Sequence, residues 1–212
     1  MTFDKKQKRI FIKALVHGLL ALPALWLFYN WYLALNYMPH DLGFNPQEAS
    51  HHHTGEWALQ ILFLTLVLSP LSRIKALRGV MHYRRMMGLW SFFYVILHLL
   101  SYIWLGKYWD FSEVWSDILR RPYITVGVVA LVMFIPLAVT STKGWIKRLG
   151  AKNWQKLHYL VYGIALLAPL HFIMMRKGIQ IEPRVYMLVA VGLLLLRFVP
   201  KKSKKHKKVK VG

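Results

Sequence analysis

Long apolar stretches alternate along the chain with short polar and basic connections. Six charge-poor segments can be delimited, at residues 10–35, 57–71, 86–105, 122–140, 154–174 and 185–199. Most approach the length of about 20 apolar residues that a helix needs to cross the hydrocarbon core of a bilayer. The second and sixth are short and need help at the interface, from Trp57 and from a snorkelling Arg197. The pattern predicts an all-α integral membrane protein, a bundle of six transmembrane helices.

The basic residues fall on one side of this arrangement. If the chain starts in the cytoplasm, most of the 29 lysines and arginines lie on the cytoplasmic side, and nearly all of the 8 acids lie on the other. The positive-inside rule therefore places both termini in the cytoplasm. We expect a basic N-terminus at residues 1–9, a membrane domain at 10–199 and a basic tail at 200–212 that acts as a topology signal and attracts anionic lipid. The first apolar run has no cleavage pattern and is predicted to be a retained span.

Composition excludes several kinds of chemistry. The chain has no cysteine, which removes Fe–S clusters, thiolate metal sites and covalent c-type haem. The net charge of +21 does not indicate nucleic acid, because the basic residues are divided among alternate loops. No GxGxxG or phosphate loop is present, so electrons from a pyridine nucleotide must arrive through another protein.

Histidines are the chemically active residues of the apolar segments. His98 lies well inside the third span, and His171 lies at a matching depth in the fifth. A titratable side chain inside a membrane is costly, and histidine is a common ligand of haem iron. The two are predicted to face one haem from opposite sides. The alternative is that each makes a helix–helix hydrogen bond.

A second site is predicted on the cytoplasmic side, at His158. His158 and His171 are 13 residues apart, a rise of roughly 20 Å on a helix, too far for one iron. His17 in the first span is the favoured partner of His158, although a structural role for it stays open, and His82 is expected in a solvated loop. On an ideal helix His158 and His171 point roughly 140° apart, and a kink at Pro169 is one way to bring them to one face.

Two other groups are given weaker roles. The run HHHTGEW at residues 51–57 is expected in the outer loop between the first two spans, where histidines 51–53 suggest adventitious metal binding only. Arg84 and Arg85 lie at the cytoplasmic end of the third span, where a second histidine in addition to His98 is expected. Their guanidinium groups suit haem propionates or, as the preferred interpretation, lipid phosphates.

Several motifs together resemble the MsrQ (YedZ-type) haem-binding membrane subunits of the bacterial periplasmic methionine sulfoxide reductase system. They are RRMMGLW at 84–90, ILHLLSY at 96–102, RRPYITVG at 120–127 and the run at 140–172, with TG at 54–55 and NP at 45–46. The resemblance covers about residues 10–200. It extends to the wider ferric-reductase-like transmembrane group, which is shared with NADPH oxidases.

The resemblance implies a b-type cytochrome of the bacterial inner membrane. His98, His158 and His171 fall on matching motifs and would take the haem-ligand roles, with one or two haems b and FMN as a further candidate cofactor. The fourth histidine of the oxidase pattern is missing, with arginine near that place, which puts a full second haem site in question. Electrons would pass from the quinone pool, or from a cytoplasmic flavin reductase, to a periplasmic MsrP-type molybdopterin subunit in a heterodimer. No catalytic residue is assigned to this chain.

Two alternative functions are also compatible with the sequence. One is a transmembrane ferric or other reductase that acts without a molybdenum subunit. The other is a non-redox membrane anchor whose histidines are structural. The first would lack a neighbouring gene for a molybdoenzyme, and the second would purify as a colourless protein.

Overall fold

A computed structural model of the chain describes residues 4–176 and 178–198, and every regular element within them is helical. The α-helices are α1 (Lys5–Leu35), α2 (Pro46–Leu71), α3 (Arg84–Leu100), α4 (Phe111–Arg120), α5 (Pro122–Val139), α6 (Lys143–His158), α7 (Leu160–Met175) and α8 (Ile181–Phe198). A 3₁₀ helix, Lys75–Tyr83, leads into α3, and a π-helical turn, Ser101–Gly106, extends it. The all-α prediction is confirmed.

Five helical stretches among the described residues are long and apolar enough to cross a membrane. They are Lys6–Leu35, Pro46–Leu71, Lys75–Gly106, Pro122–Val139 and Lys143–Met175. They correspond to the first five predicted spans. The predicted sixth falls on α8, whose 18 residues include the charged Glu182, Arg184 and Arg197, and it is not among the five. The count of six and the cytoplasmic location of both termini stay predictions, and the tail at 200–212 lies outside the described residues.

The second span is longer than hydropathy suggests. Helix α2 has 26 residues and starts at Pro46, so the expectation of a short span preceded by a loop up to residue 56 is wrong. The side chain of Asn45 accepts a hydrogen bond from the Glu48 N–H at 3.2 Å, and Pro46 occupies the first helical position. These are standard helix-starting features, and they begin the helix inside a polar stretch.

The predicted cytoplasmic loop at 141–156 is also largely helical. Thr142 caps α6 by accepting a hydrogen bond from the Trp145 N–H at 3.3 Å. Gly150 interrupts α6 with a φ of 74°, a conformation that glycine adopts without strain. Only Tyr159 separates α6 from α7, and α7 continues through Pro169. Tyr159 keeps helical φ and ψ of −69° and −18°, so the backbone leaves the helical region at Gly150 and not at the proline.

Helix α1 is attached to the bundle through an irregular turn. Pro23 lies inside it and removes one backbone donor. The fully buried Tyr94 of α3 reaches this turn. Its hydroxyl accepts from the Ala24 N–H at 3.0 Å and donates to the Leu20 carbonyl at 2.8 Å, two groups that an undisturbed helical turn pairs with each other. One side chain of α3 thereby completes the backbone of α1.

The interior of the bundle lies between α2, α3, α5 and α7. Helix α3 packs mainly on α2, and α5 packs mainly on α7. Leu62, Phe134 and Ile164 belong to the largest buried apolar cluster. Many large apolar side chains point outward along the spans, among them Leu19, Val132 and Leu188, as expected for helices that face lipid. The four central helices leave a cavity between them at the end of the bundle where α4 lies, called below the α4 end.

Candidate cofactor site

The cavity at the α4 end has a volume of about 550 Å³. Its walls are mostly apolar, with residues such as Leu62, Phe134 and Ile164, and α4 closes one side with Val114 and Ile118. A few polar side chains interrupt this lining, namely Glu48, His51, His52, Glu56, Ser91, His98, Tyr102, Arg121, Tyr123 and His171. An apolar cavity of this size with a few convergent polar groups is the usual form of a cofactor site.

His98 and His171 meet across this cavity. His98 is on α3 and His171 is on α7, yet their ring centroids are 6.2 Å apart, with ring planes at 85°. The structure thus brings together the two histidines that were predicted to lie at matching depth. Their role as metal ligands remains a prediction.

Both rings are oriented by backbone carbonyls. Nδ1 of His98 is 3.0 Å from the His51 carbonyl oxygen, and Nδ1 of His171 is 2.6 Å from that of Tyr123. A carbonyl only accepts, so each Nδ1 carries the hydrogen and each Nε2 keeps its lone pair, an assignment that follows from the hydrogen-bond network. An Nδ1–H held by a carbonyl is the usual support of a histidine that binds metal through Nε2.

Two glycines make room for the rings. A Cβ added at Gly55 of α2 would lie 2.9 Å from Cε1 and Nδ1 of His98. A Cβ added at Gly127 of α5 would lie 3.0 Å from the same two atoms of His171. Each ring therefore packs on a helix backbone that has no side chain at that point, and each glycine belongs to a motif that carries the family resemblance.

His51 supports His98 and was missed by the sequence analysis. Its ring stacks on that of His98 with centroids 3.9 Å apart and planes at 22°. The Ser101 hydroxyl donates to the His98 carbonyl at 2.8 Å and is 3.1 Å from Nδ1 of His51. Because that hydroxyl already donates its hydrogen, it accepts from His51. His98 therefore has three contacts in this group: the ring of His51, the carbonyl of His51, and the hydroxyl of Ser101, which also bonds to His51.

The placement of histidines 51–53 in an outer loop is wrong, because all three are in α2. Successive helical residues point about 100° apart, so the three rings diverge. His51 faces His98, His52 lies 3.6 Å from Glu48, and His53 lies 2.9 Å from the Pro23 carbonyl oxygen. No group of three or more His, Asp or Glu side chains in the described part of the chain can hold a bare metal ion, which also contradicts the adventitious metal site.

The residues of the cavity fit a haem. An iron between two imidazoles, with metal–nitrogen bonds of about 2 Å, places the ring centroids roughly 6 Å apart, and the separation found is 6.2 Å. The apolar walls suit the faces of a macrocycle. The carbonyl-held Nδ1 atoms leave the two Nε2 atoms, which would hold the iron of such a group.

His158 lies apart from this cavity, at the end of α6. Its Nδ1 is 3.0 Å from the Trp154 carbonyl oxygen, and its ring stacks on that of Trp154 at 3.8 Å. Its Nε2 is buried and makes no hydrogen bond of ordinary geometry within the described residues, although the ring also interacts with the Leu137 backbone. Buried polar atoms rarely lack a partner, so this atom is a candidate ligand for a group bound there.

The predicted partner of His158 has other contacts. His17 is exposed, and its Nδ1 accepts a hydrogen bond from the Trp90 indole N–H at 2.8 Å. The His17–His158 pairing stays a prediction. His82 is exposed, as expected, although it lies in the 3₁₀ helix. Arg197, expected to snorkel, donates to the Ser69 hydroxyl at 3.0 Å and lies over the Tyr162 ring.

We expect His158→Ala to lower the bound haem per protein without changing the spectrum contributed by His98 and His171, because His158 lies outside their cavity. The measurement is the haem-to-protein ratio and the reduced-minus-oxidised spectrum of the purified protein. His82→Ala is the matched control, since His82 is exposed. Unchanged haem content in His158→Ala would contradict a second site.

An ionic network ties α4 to the end of the third span. The buried Lys107 contacts Glu113 and lies 2.7 Å from Asp117, which is also buried. Asp117 further accepts from the Tyr102 hydroxyl at 2.7 Å and pairs with Arg121 at 3.0 Å. Each buried charge therefore has partners of opposite sign, the condition under which burial of charge is tolerated.

The same contacts shift the pKa values of the network. Burial acts to raise the pKa of Asp117, but the hydrogen bonds and charges of its partners outweigh burial and lower it below 3.8. Burial likewise acts to lower the pKa of Lys107, but Asp117 and Glu113 raise it above 10.5. Since the pKa of Asp117 is lowered on folding, its stabilising contribution is fully present above pH 3.8 and is lost as the pH falls through the folded value.

We expect Asp117→Asn to destabilise the protein by about 3 kcal/mol, because it removes one of the two carboxylates that pair with the buried Lys107 and the only carboxylate that pairs with Arg121 among the described residues. Glu113→Gln is the control, since the Glu113 side chain is 53% exposed, and the loss there should be under about 1 kcal/mol. Thermal unfolding of both variants in the same detergent measures the difference. Equal losses would show that Asp117 has no special role.

Comparison with known proteins identifies a family and several relatives. The family described as the ferric reductase like transmembrane component matches residues 54–169. The matched range includes His98 and His158 and stops just before His171.

The chain is similar over most of its length to proteins named "Protein-methionine-sulfoxide reductase heme-binding subunit MsrQ". It is 45% identical to that of Rhodospirillum rubrum, over 80% of this chain and 81% of the relative. It is 38% identical to that of Caulobacter vibrioides, over 91% of each chain. It is 40% identical to that of Azospira oryzae, over 94% of this chain and 84% of the relative.

Proposed function

The chain belongs to the ferric reductase-like transmembrane family, within it to the MsrQ subunits, and on this premise we propose that it is a haem-binding electron-transfer subunit of a protein-methionine-sulfoxide reductase. The observation that carries the proposal is the pair His98 and His171, with ring centroids 6.2 Å apart in an apolar cavity. The relatives are named as heme-binding subunits of a protein-methionine-sulfoxide reductase, and the choice of haem and of reductase follows from those names.

His98 and His171 would hold a haem b in the cavity, which would carry one electron at a time. The chain orients the two ligands through the carbonyls of His51 and Tyr123. It excludes water with the apolar walls and with α4, whose Val114 and Ile118 line the cavity. Burial and the hydrogen bonds to the ligands are the means by which a protein sets the reduction potential of such a site.

The proposed electron path runs across the bacterial inner membrane. Electrons enter near the cytoplasmic face, from the quinone pool or from a flavin reductase, with FMN as a further cofactor. An inner haem on this path would be held by His158, whose buried Nε2 makes no hydrogen bond of ordinary geometry within the described residues. Electrons leave at the α4 end to a periplasmic MsrP-type molybdopterin subunit, which forms a heterodimer with this chain and reduces methionine sulfoxide in oxidised proteins.

The test is the visible spectrum of the purified protein, oxidised and then reduced by quinol. We expect a Soret band that shifts on reduction. Adding the periplasmic subunit together with methionine sulfoxide should reoxidise the haem over many turnovers. Methionine sulfoxide alone should not, and the subunit alone should reoxidise the haem at most up to the number of electrons that its own cofactor accepts.

The alternatives give different results. Reoxidation by a ferric chelate, without the periplasmic subunit and faster than with it, would favour a stand-alone ferric reductase. A colourless protein, from cells that load a control cytochrome fully, would contradict haem binding and leave a membrane anchor.

A further inference from the structure

Helix α4 carries a stripe of apolar side chains that nothing in the described chain covers. Phe111, Trp115 and Leu119 are 63%, 63% and 69% exposed. They are spaced four residues apart, so they lie along one face of the helix. They are called here the outer stripe.

Other faces of α4 contact the rest of the protein. Val114 and Ile118 line the cofactor cavity, and Asp117 is buried in its pairs with Lys107 and Arg121. These contacts fix the rotation of the helix about its axis. The outer stripe therefore cannot turn inward, and it stays exposed unless something outside the described chain covers it.

The two ends of α4 fix its height relative to the membrane. The third membrane stretch ends at Gly106 and α4 starts at Phe111, and a connection of this length reaches at most roughly 14 Å. At the other end α5 begins at Pro122, directly after Arg121, and the Thr125 hydroxyl donates to the Ile118 carbonyl at 2.6 Å. Both ends are thus held where spans leave the bilayer, so α4 lies across the surface at that level.

The polar positions of α4 complete the pattern. Ser112, Ser116 and Arg120 lie on the side away from the cavity and beyond the stripe, as their positions at about 100° per residue require. The neighbouring Trp104 and Trp109 are 59% and 50% exposed, and exposed tryptophans gather at the membrane–water interface. A helix with an apolar face, a polar face and adjacent tryptophans is typical of one that lies in the interface plane.

We propose that α4 is an interfacial helix whose outer stripe is seated in the headgroup–acyl boundary of the leaflet at the α4 end. The bilayer thereby presses Val114 and Ile118 against the mouth of the cavity. The acids Glu113 and Asp117 are neutralised by Lys107 and Arg121, so the seating depends on apolar area and not on anionic lipid. This inference does not depend on what the cavity holds.

The test uses the natural absence of cysteine from the chain. Trp115→Cys, Leu119→Cys and the control Ser116→Cys are labelled with bimane in the full chain, reconstituted in phosphatidylcholine vesicles. We expect quenching by a lipid with a shallow nitroxide to be several-fold stronger at positions 115 and 119 than at 116. Quenching by aqueous iodide should show the reverse order, and adding phosphatidylglycerol should leave the lipid quenching unchanged.

Equal lipid quenching at positions 115, 119 and 116 would overturn the proposal, as would stronger iodide quenching at 115 and 119 than at 116. A soluble protein seated on the stripe would instead block both quenchers at 115 and 119 only when it is added, which also overturns it. If Trp115→Cys does not fold, as judged by its elution profile, Leu119→Cys decides on the same criteria.

Discussion

We expect His98→Ala and His171→Ala each to abolish the haem proposed for the α4-end cavity, and with it that part of the Soret band which shifts on reduction. The two rings face each other across one cavity, and no other described residue of α3 or α7 places an imidazole there. Loss of an outer-shell partner of a metal ligand typically costs 10–100-fold in affinity, so loss of the ligand should lower the haem affinity at least about tenfold. Haem per protein and the difference spectrum measure the effect.

Added imidazole separates loss of a ligand from loss of the fold. Free imidazole should enter the space left in His98→Gly and restore a low-spin spectrum, because the opposite ligand and the apolar walls are intact. The exposed His82 serves again as the control, and His82→Ala should keep full haem content. A normal spectrum in both His98→Ala and His171→Ala would contradict the assignment of the ligands.

Gly55→Ala is expected to weaken haem binding although it leaves every ligand in place. The new Cβ would lie 2.9 Å from Cε1 and Nδ1 of His98. That ring cannot retreat freely, because the His51 carbonyl holds Nδ1 at 3.0 Å and the His51 ring stacks on it at 3.9 Å. We expect a roughly 10–100-fold loss of haem affinity, as for other changes in the support of a metal ligand, together with a lower unfolding temperature.

The expected change in stability is opposite in sign to the usual effect of this substitution. Glycine to alanine inside a helix normally stabilises a protein by about 0.5–1 kcal/mol. Gly88→Ala in α3 is the control, since its added Cβ meets only Thr65 Cγ2, at 3.8 Å, and it should show the normal gain. In Gly127→Ala the added Cβ would lie 3.0 Å from the His171 ring. The change in unfolding temperature of this variant should lie between those of Gly55→Ala and Gly88→Ala. A Gly55→Ala protein that gains stability and binds haem normally would show that the contact is not tight.

The main pair of the site was predictable from depth alone. His98 and His171 are the histidines well inside two apolar runs, and helices that cross a bilayer place equal depths side by side. The orientation of the rings was not predictable, because it depends on carbonyls of α2 and α5 that are distant in sequence, His51 and Tyr123. No pattern in the third and fifth spans indicates which backbone groups will face them.

The support from His51 was hidden by the assignment of its segment to a loop. Hydropathy is low across residues 45–56, and this led to the assignment of a loop. However, Asn45–Pro46 with Glu48 is a helix-start signal. That signal alone predicts that His51 lies on a helix. The interruption of α6 at Gly150 was also missed. A kink at Pro169 was considered, yet membrane helices tolerate proline, and α7 continues through it.

The turn of α1 at Pro23 has a consequence for how the protein is made. Helix α1 has a donor at Ala24 and an acceptor at Leu20 that are joined through the hydroxyl of Tyr94. Tyr94 lies 70 residues after Ala24 in the chain. The turn of α1 therefore reaches its final shape only when α3 packs against it, so that shape is a product of assembly.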